Sequence, residues 1–286
     1  MLATRLATHD VPDHVAFKNS SPKTFPDIAR AHQDWEQCQK TTGIINFIAP
    51  LSKWDTEKPF NLTVPLPRNQ PKTNSIYESR EIQISDGRCR EDNFSLDIHG
   101  FEFVKFPPKN TLRDQDTIEN DYLSLMESTL KEHLGAERVL CFDYASIDQT
   151  PEAAMSRLRL YFDAAAEGLT NARIRFINIW RPLIQPLEDT PLAVMDARTL
   201  TDEDLLANDI IYAHYQGENY LIKFNSDQRW YYLNRMAIEE CILIKNFDSN
   251  LNGYARMCPH AAFNDTNSPP HAPWRKSVEA RFIVFN

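Results

Sequence analysis

The sequence predicts a mainly β (α+β) domain: a β-sandwich or jelly-roll core with flanking helices. Three observations carry this. After residue 171, short β-prone runs recur at turn-sized intervals: "ARIRFINIWRPL", "DIIYAHY", "NYLIKF", "RWYYLN", "ECILIKNF" and "ARFIVFN". Two helical patterns precede those runs. Finally, only 7 of the 286 residues are glycine, and neither GxGxxG nor a Walker pattern occurs. That excludes the glycine-rich phosphate loops of nucleotide-binding α/β folds.

Taken in order, residues 1–40 read as an N-terminal arm, partly helical around "PDIARAHQDWEQCQKTT", and residues 41–286 as a single jelly-roll domain. The β-branched content of "GIINFIAP" (43–50) favours a strand. Residues 52–95, rich in Pro, Lys, Asn and Ser, read as extended loop. "FSLDIHGFEFVKF" (94–106) reads as a strand pair turning near Gly100. The clearest helix spans 112–135: Ile118, Tyr122, Leu125, Leu130 and Leu134 share a face and Gly135 stops it. "RVLCFDY" (138–144) is short and apolar, a buried strand. A second helix opens with Thr150 as N-cap and Pro151 at its first position, and Met155, Leu158, Phe162 and Ala165 form its apolar stripe.

A net charge of -9 argues against nucleic acid, whose binders carry clustered basic charge. No apolar run is long enough to span a membrane, and the N-terminal residues show no secretory pattern. Five widely spaced cysteines, Cys38, Cys89, Cys141, Cys241 and Cys258, form no CxxC. They suit buried thiols and a cytoplasmic location better than a disulfide framework. A homodimer is among the assemblies the sequence allows.

Chemistry concentrates in a series of short motifs: "SIDQTPEAA", "NIWRPL", "PLEDTPLAVMDART", "QRWYY", "KNFDS", "PHAAF" and "RKSVEARFIVF". Their order and spacing resemble a family of fungal and bacterial hydroxylase/desaturase proteins, named for the hydroxylase of aspergillic acid biosynthesis. The resemblance runs from about residue 43 to the C-terminus and is densest over 148–284. It implies a double-stranded β-helix akin to the iron(II)/2-oxoglutarate oxygenases, in which His-x-Asp and a distant His bind iron. Such a triad leaves open positions for 2-oxoglutarate and oxygen, and an arginine holds the cosubstrate carboxylate.

Carried over residue by residue, the carboxylate falls on Asp148 and the distal imidazole on His260, while Ser146 occupies the place of the first histidine. Arg275, Ser277, Val278, Glu279 and Arg281 match the C-terminal motif, and Gln228 stands where many relatives have histidine. A serine hydroxyl is a poor iron(II) ligand at neutral pH, whereas imidazole is among the best. The expectation is therefore no metal and no cofactor, with Asp148 and His260 as the ligands if iron is present.

On that basis Asp148, His260, Gln228 and Arg281 are the candidate catalytic residues, and Trp180, Arg275, Tyr232 and His214 the substrate-binding ones. The expected function is metal-independent cyclisation (pericyclic type), isomerisation or dehydration of a small hydrophobic metabolite in a fungal biosynthetic pathway. One alternative is an iron(II)/2-oxoglutarate hydroxylase or desaturase with an atypical ligand set. The other is a non-catalytic descendant that binds a metabolite or partner. Plainer structural roles stand beside these. Asp148 forms a turn before the Thr150 cap, Trp180 and Arg181 a packed cation–π or ion-pair unit, His214 a core histidine, and Glu239 and Glu240 a solvated pair.

Overall fold

The runs that read as strands pair into three sheets. In the computed structural model, which describes residues 28–64, 70–108, 118–143, 172–213, 216–250 and 255–286, the first described element is helix α1 (Ile28–Glu36). Strands β1 (Lys40–Ile48), β2 (Phe60–Leu62), β3 (Tyr77–Asp86) and β4 (Phe101–Lys105) follow, then helix α2 (Leu123–Leu134) and β5 (Arg138–Asp143). The β-rich half supplies β6 (Ile174–Pro182), β7 (Leu192–Met195), β8 (Leu205–Ile211), β9 (Gln216–Ile222), β10 (Trp230–Tyr232) and β11 (Glu240–Asp248). The chain closes with β12 (His260–Ala262), β13 (Asn264–Asp265) and β14 (Ser277–Phe285). The expected helix from Thr150, with Ser146, Asp148 and His214, lies outside the described residues.

One sheet has the order β4-β11-β6-β14-β5 and another β12-β7-β10-β3-β1-β13, while β2-β8-β9 forms a small third sheet. The edges of the six-stranded sheet, β12 and β13, are separated in the chain only by Phe263, so this sheet curls until its two edges nearly meet. Gly43 makes the curl sterically feasible, because a Cβ there would sit 2.5 Å from Phe263 Cδ2. The jelly roll expected from strand spacing is thus consistent with the observed layers.

Side-chain alternation gives the five-stranded sheet two different faces. Ile177, Ile179, Leu243, Ala280 and Phe282 pack outward against Met126 and Leu130 of α2. Trp180, Ile242 and Ile244 point the other way and meet Val194 and Tyr231 of the six-stranded sheet, with Leu233 just beyond β10. α2 ends where its sequence says it should, at Gly135 in the left-handed region with φ 57°.

Arg181 is fully buried beneath α2. Its Nε donates to the Tyr122 hydroxyl at 3.1 Å, and its Nη1 and Nη2 donate to the carbonyls of Ile238 and Phe106. Its guanidinium lies 5.2 Å from the Tyr122 ring centroid. The structural role expected for Trp180 and Arg181 is therefore divided, since neighbours in a strand face opposite ways and Arg181 stacks on Tyr122. Lys245, also fully buried, donates to Asp248 at 2.6 Å and Asp97 at 2.7 Å, and Arg173 bonds the same two carboxylates.

Four expectations need correction. Residues 52–95 are not all loop: β3 runs antiparallel to β1 for nine pairs, from Lys40↔Ser85 to Ile48↔Tyr77. Its sequence, "YESREIQISD", buries few side chains, so backbone pairing holds it with little apolar signal. The strand pair expected over 94–106 is one strand, β4, preceded by a turn that ends at Gly100 with φ 85°. Cys38 and Cys89 are not thiols but a disulfide, with Cα atoms 5.8 Å apart, joining the end of α1 to the turn after β3. Nor is Glu240 solvated: it is buried, accepts two 2.8 Å bonds from Arg88, and caps the Ala237 N–H.

Replacing Arg181 by Leu orphans two buried carbonyls and the Tyr122 hydroxyl, and is expected to cost about 3 kcal/mol or more; urea midpoints compared at unchanged slope measure it. Acid should also weaken the fold. Burial raises the carboxyl pKa of Asp97, Asp248 and Glu240, but hydrogen bonds from Arg173, Lys245 and Arg88 outweigh it, and all three stay below their ordinary values. Because the folded-state values are depressed, this stabilisation is present above the unfolded carboxylate range of about 4. It is lost as pH falls through the depressed values. Unfolding midpoints should fall steadily below about pH 4, and a flat profile there would contradict the assignment.

Candidate active site

β12 is an edge strand whose His260 pairs with Val194 of β7. Directly paired residues share a face, and Val194 belongs to the core between the two large sheets. His260 is therefore carried on the inter-sheet side at an edge, half-buried, and it also lines a cavity of about 240 Å³ whose walls include Ile45, Phe47 and Trp230 from the cluster on the other face of that sheet. Ile45, Phe47, Ile48, Leu221 and Trp230 supply apolar walls, and among the described residues no Asp, Glu, Lys or Arg lines the cavity. Polar edges come from Asn46, Tyr77 and Asn219.

His260 Nδ1 lies 3.0 Å from the Cys258 carbonyl. A carbonyl only accepts, so in the neutral ring Nδ1 carries the hydrogen and Nε2 keeps its lone pair. This backbone contact is the usual way an imidazole is oriented to offer Nε2 to a metal.

Arg281 sits on β14 opposite Asn178 of β6 and faces the same inter-sheet space as Trp180, two residues on from Asn178. It is buried, with Nη1 3.3 Å from Asp143 and Nη2 3.4 Å from Glu279. Its Nε has no hydrogen-bond partner among the described residues. Asn178 orients Glu279 by donating to its Oε1. Arg281 thus presents a guanidinium held by long contacts and with one donor unspent, an arrangement suited to a carboxylate ligand. Sequence reasoning missed Asn178 and Asp143. The signal was present, since Asn178 alternates with Trp180 in "NIWRPL" and so shares its face.

The remaining candidates do not converge on His260. Trp180 is core between the sheets. Gln228 lines a different recess and donates through Nε2 to the Lys223 carbonyl at 2.9 Å. Tyr232 packs edge-on against Phe263 at 5.4 Å and lines a third recess with Asp86 and Asp265; burial, reinforced by those carboxylates, pushes its phenol up. Arg275 holds a loop, its backbone N–H bonded to Asp189 and its Nη1 to the Thr190 carbonyl at 2.9 Å. Asp148 and His214 lie outside the described residues.

Among the described residues no three His, Cys, Asp or Glu side chains cluster as metal ligands. The donor chemistry nevertheless fits ferrous iron and an acidic cosubstrate as far as it is described. His260 offers an oriented Nε2, and Arg281 an unspent donor on the same inter-sheet side.

A curled sheet packed on a second sheet, an edge histidine beside an apolar cavity and a buried arginine on the last strand are consistent with an oxygenase-type enzyme scaffold. The chain belongs to the fungal hydroxylase/desaturase family of iron(II)/2-oxoglutarate oxygenase-like enzymes. A family profile described as "Oxidoreductase/YMDC permease-like domain" matches residues 45–146 and 144–285. No described helix is long and apolar enough to cross a membrane. The "Fe(II)/2-oxoglutarate-dependent dioxygenase nvfI" of Aspergillus novofumigatus is 30% identical over 84% of this chain and 94% of its own length. "Hydroxylase/desaturase asaB" of Aspergillus flavus is 32% identical over 73% of this chain and 81% of its own. A solved structure of the "iron and alpha-ketoglutarate-dependent endoperoxidase NvfI" superposes with TM-score 0.77 at 27% identity, covering 86% of this chain and 98% of that one.

These relatives bear out the family resemblance and make this chain an oxygenase-like enzyme of secondary metabolism. They overturn the expectation that no cofactor is needed. That expectation rested on one ligand position, Ser146, whereas relatives similar over most of the chain are named for iron and 2-oxoglutarate.

The His260 contact has a direct readout. Long-range 1H–15N spectra should show His260 as the Nδ1–H tautomer when neutral; an Nε2–H pattern would refute the orientation.

Proposed function

We propose that this protein is an iron(II)/2-oxoglutarate-dependent oxygenase that oxidises a small hydrophobic metabolite. The observation that carries the reading is the His260 imidazole, oriented by the Cys258 carbonyl so that Nε2 keeps its lone pair, on a chain similar over most of its length to relatives named for iron and 2-oxoglutarate. His260 would hold the iron through Nε2, and the family motif assigns the carboxylate ligand to Asp148, two residues after Ser146. Bound iron and 2-oxoglutarate would supply the four-electron reduction of O2, with two electrons from oxidising 2-oxoglutarate to succinate and CO2 and two from the metabolite.

The chain's own residues do the rest. Arg281 binds the distal carboxylate of 2-oxoglutarate, in competition with Asp143, whose carboxylate already stands 3.3 Å away. Asn178 keeps Glu279 turned to the same guanidinium and fixes its position on the strand. The uncharged walls around His260 exclude water and favour an apolar substrate, while Asn46, Tyr77 and Asn219 offer hydrogen bonds to one or two of its oxygens.

The test is succinate formation from 2-oxoglutarate under air, with ferrous iron added or chelated. Activity should vanish with chelator, return with iron, and be lost in His260→Ala; turnover that ignores chelator sinks the proposal. Two variants check the cosubstrate grip. Arg281→Leu should raise the KM for 2-oxoglutarate at least tenfold, and Asp143→Asn should lower it several-fold by removing the competing carboxylate.

A further inference from the structure

The His260 cavity runs along two strand edges. β1 pairs with β13 only through Gly43 and Ile44, so beyond them its outer edge has no strand partner among the described residues. β9 is the outer strand of the small sheet. Residues 45–48 of β1 and 219–222 of β9 line the cavity together with His260.

Asn219 is a polar side chain in this wall whose direction is set by a neighbour. It pairs across the ladder with Asn208 of β8, a residue with 0% exposure. Directly paired residues carry their side chains on one face, and Asn208 Nδ2 donates to Asn219 Oδ1 at 2.7 Å. Asn219 Nδ2 has no hydrogen-bond partner among the described residues and, unlike Asn208 Oδ1, is not sealed from solvent. A primary amide is planar, with oxygen and nitrogen on opposite sides of its Cβ–Cγ axis. Because the oxygen is turned toward β8, the NH2 is turned toward the outer edge of β9, where the cavity lies.

The opposite arrangement is the costlier one. Exchanging oxygen and nitrogen in both amides keeps one bond between them, but it strands two hydrogens on the buried Asn208, where now a single oxygen lacks a partner. Orphaned buried N–H groups are rarer than under-satisfied oxygens. Asn46, the other side-chain amide at this cavity, also has its oxygen engaged, by Ser79 Oγ at 2.7 Å.

Taking the His260 cavity as the place where the metabolite is oxidised, we propose that Asn219 is a specificity-determining residue that selects a substrate with a carbonyl oxygen, as in a ketone, lactone or ester. Asn208 is the positioning residue that holds the Asn219 NH2 toward the cavity. The substrate carbonyl accepts from Asn219 Nδ2–H, while Ile45, Phe47 and Trp230 cover the hydrocarbon around it. A plain hydrocarbon leaves that donor unpaired. A carboxylate would meet no Lys or Arg among the described residues of the wall.

The probes are α-tetralone and tetralin, which share a bicyclic skeleton and differ by the carbonyl. Each is titrated into the whole iron-free protein without 2-oxoglutarate and followed in 1H–15N spectra of the side-chain amides. Tetralone should move the Asn219 amide hydrogens downfield, and tetralin should not. In Asn219→Leu the ratio of tetralone to tetralin affinity should fall about tenfold, as expected for one hydrogen bond lost in an apolar site. Asn208→Leu should lower that ratio nearly as far with tetralin affinity changed less than about twofold, whereas a merely structural role would weaken both ligands alike. No tetralone binding at millimolar concentration, an unchanged ratio in Asn219→Leu, or equal weakening of both ligands in Asn208→Leu would each overturn the proposal. The amide spectrum of the unmutated protein decides even where a variant fails to fold, since tetralone that leaves the Asn219 resonances in place overturns it as well. No part of this measurement needs iron, so succinate formation that ignores chelator would sink the oxygenase reading without touching the ligand result.

Discussion

The fold turns on one buried cation. Arg181 stands in the five-stranded sheet with its guanidinium bonded to Tyr122, to the carbonyl after β4 and to the carbonyl two residues before β11. No carboxylate bonds it among its described contacts, so its charge is solvated by carbonyl dipoles and a hydroxyl that must all be in place at once. That ties the residues leading into α2, the end of β4 and the entry to β11 to a single strand. Because Arg181 points outward, its neighbour Trp180 points inward, and the register that satisfies the cation also decides which face of the sheet meets the site.

The inter-sheet side inherits its chemistry from that register. Asn178, Trp180, Glu279 and Arg281 share it because they alternate along β6 and β14, and His260 joins from the opposing sheet through its pairing with Val194. A strand slip of one residue would exchange the polar group for Ile177, Ile179 and Ala280, which now serve α2. The same arrangement separates the candidate residues. Gln228 and Tyr232 are close to Trp230 in the chain, yet they open onto recesses other than the one beside His260.

Much of the fold was legible in local pattern. The β-branched runs around Ile45, Ile177, Ile242 and Ile283 mark strands, and the stripe through Tyr122 and Leu130 with Gly135 behind it marks the end of a helix. β3 was not legible, because its side chains are mostly polar and its stability comes from nine partners on β1. The Cys38–Cys89 bond was equally hidden, since the spacing of two cysteines does not say whether their Cα atoms approach. The cofactor expectation failed for another reason. It weighed the donor strength of one hydroxyl at Ser146 against a likeness spread over most of the chain, and the likeness carries more information about chemistry than any single ligand position.

The sequence by itself determined the β-rich class and the family, and singled out His260 and Arg281 as candidates, because ordered motifs and hydrophobic alternation are properties of the chain alone. Tertiary structure decided which residues stand on the same face. Only the folding of β12 back along β7 gives His260 its carbonyl-oriented ring beside an apolar cavity. Only β14 pairing with β6 sets Arg281 beside Asn178 and Glu279 on the inter-sheet face. Arg275 matches the same motif as Arg281, but its side chain is spent on a loop. The physical reason is that hydrogen bonds between distant strands choose neighbours that no local spacing encodes.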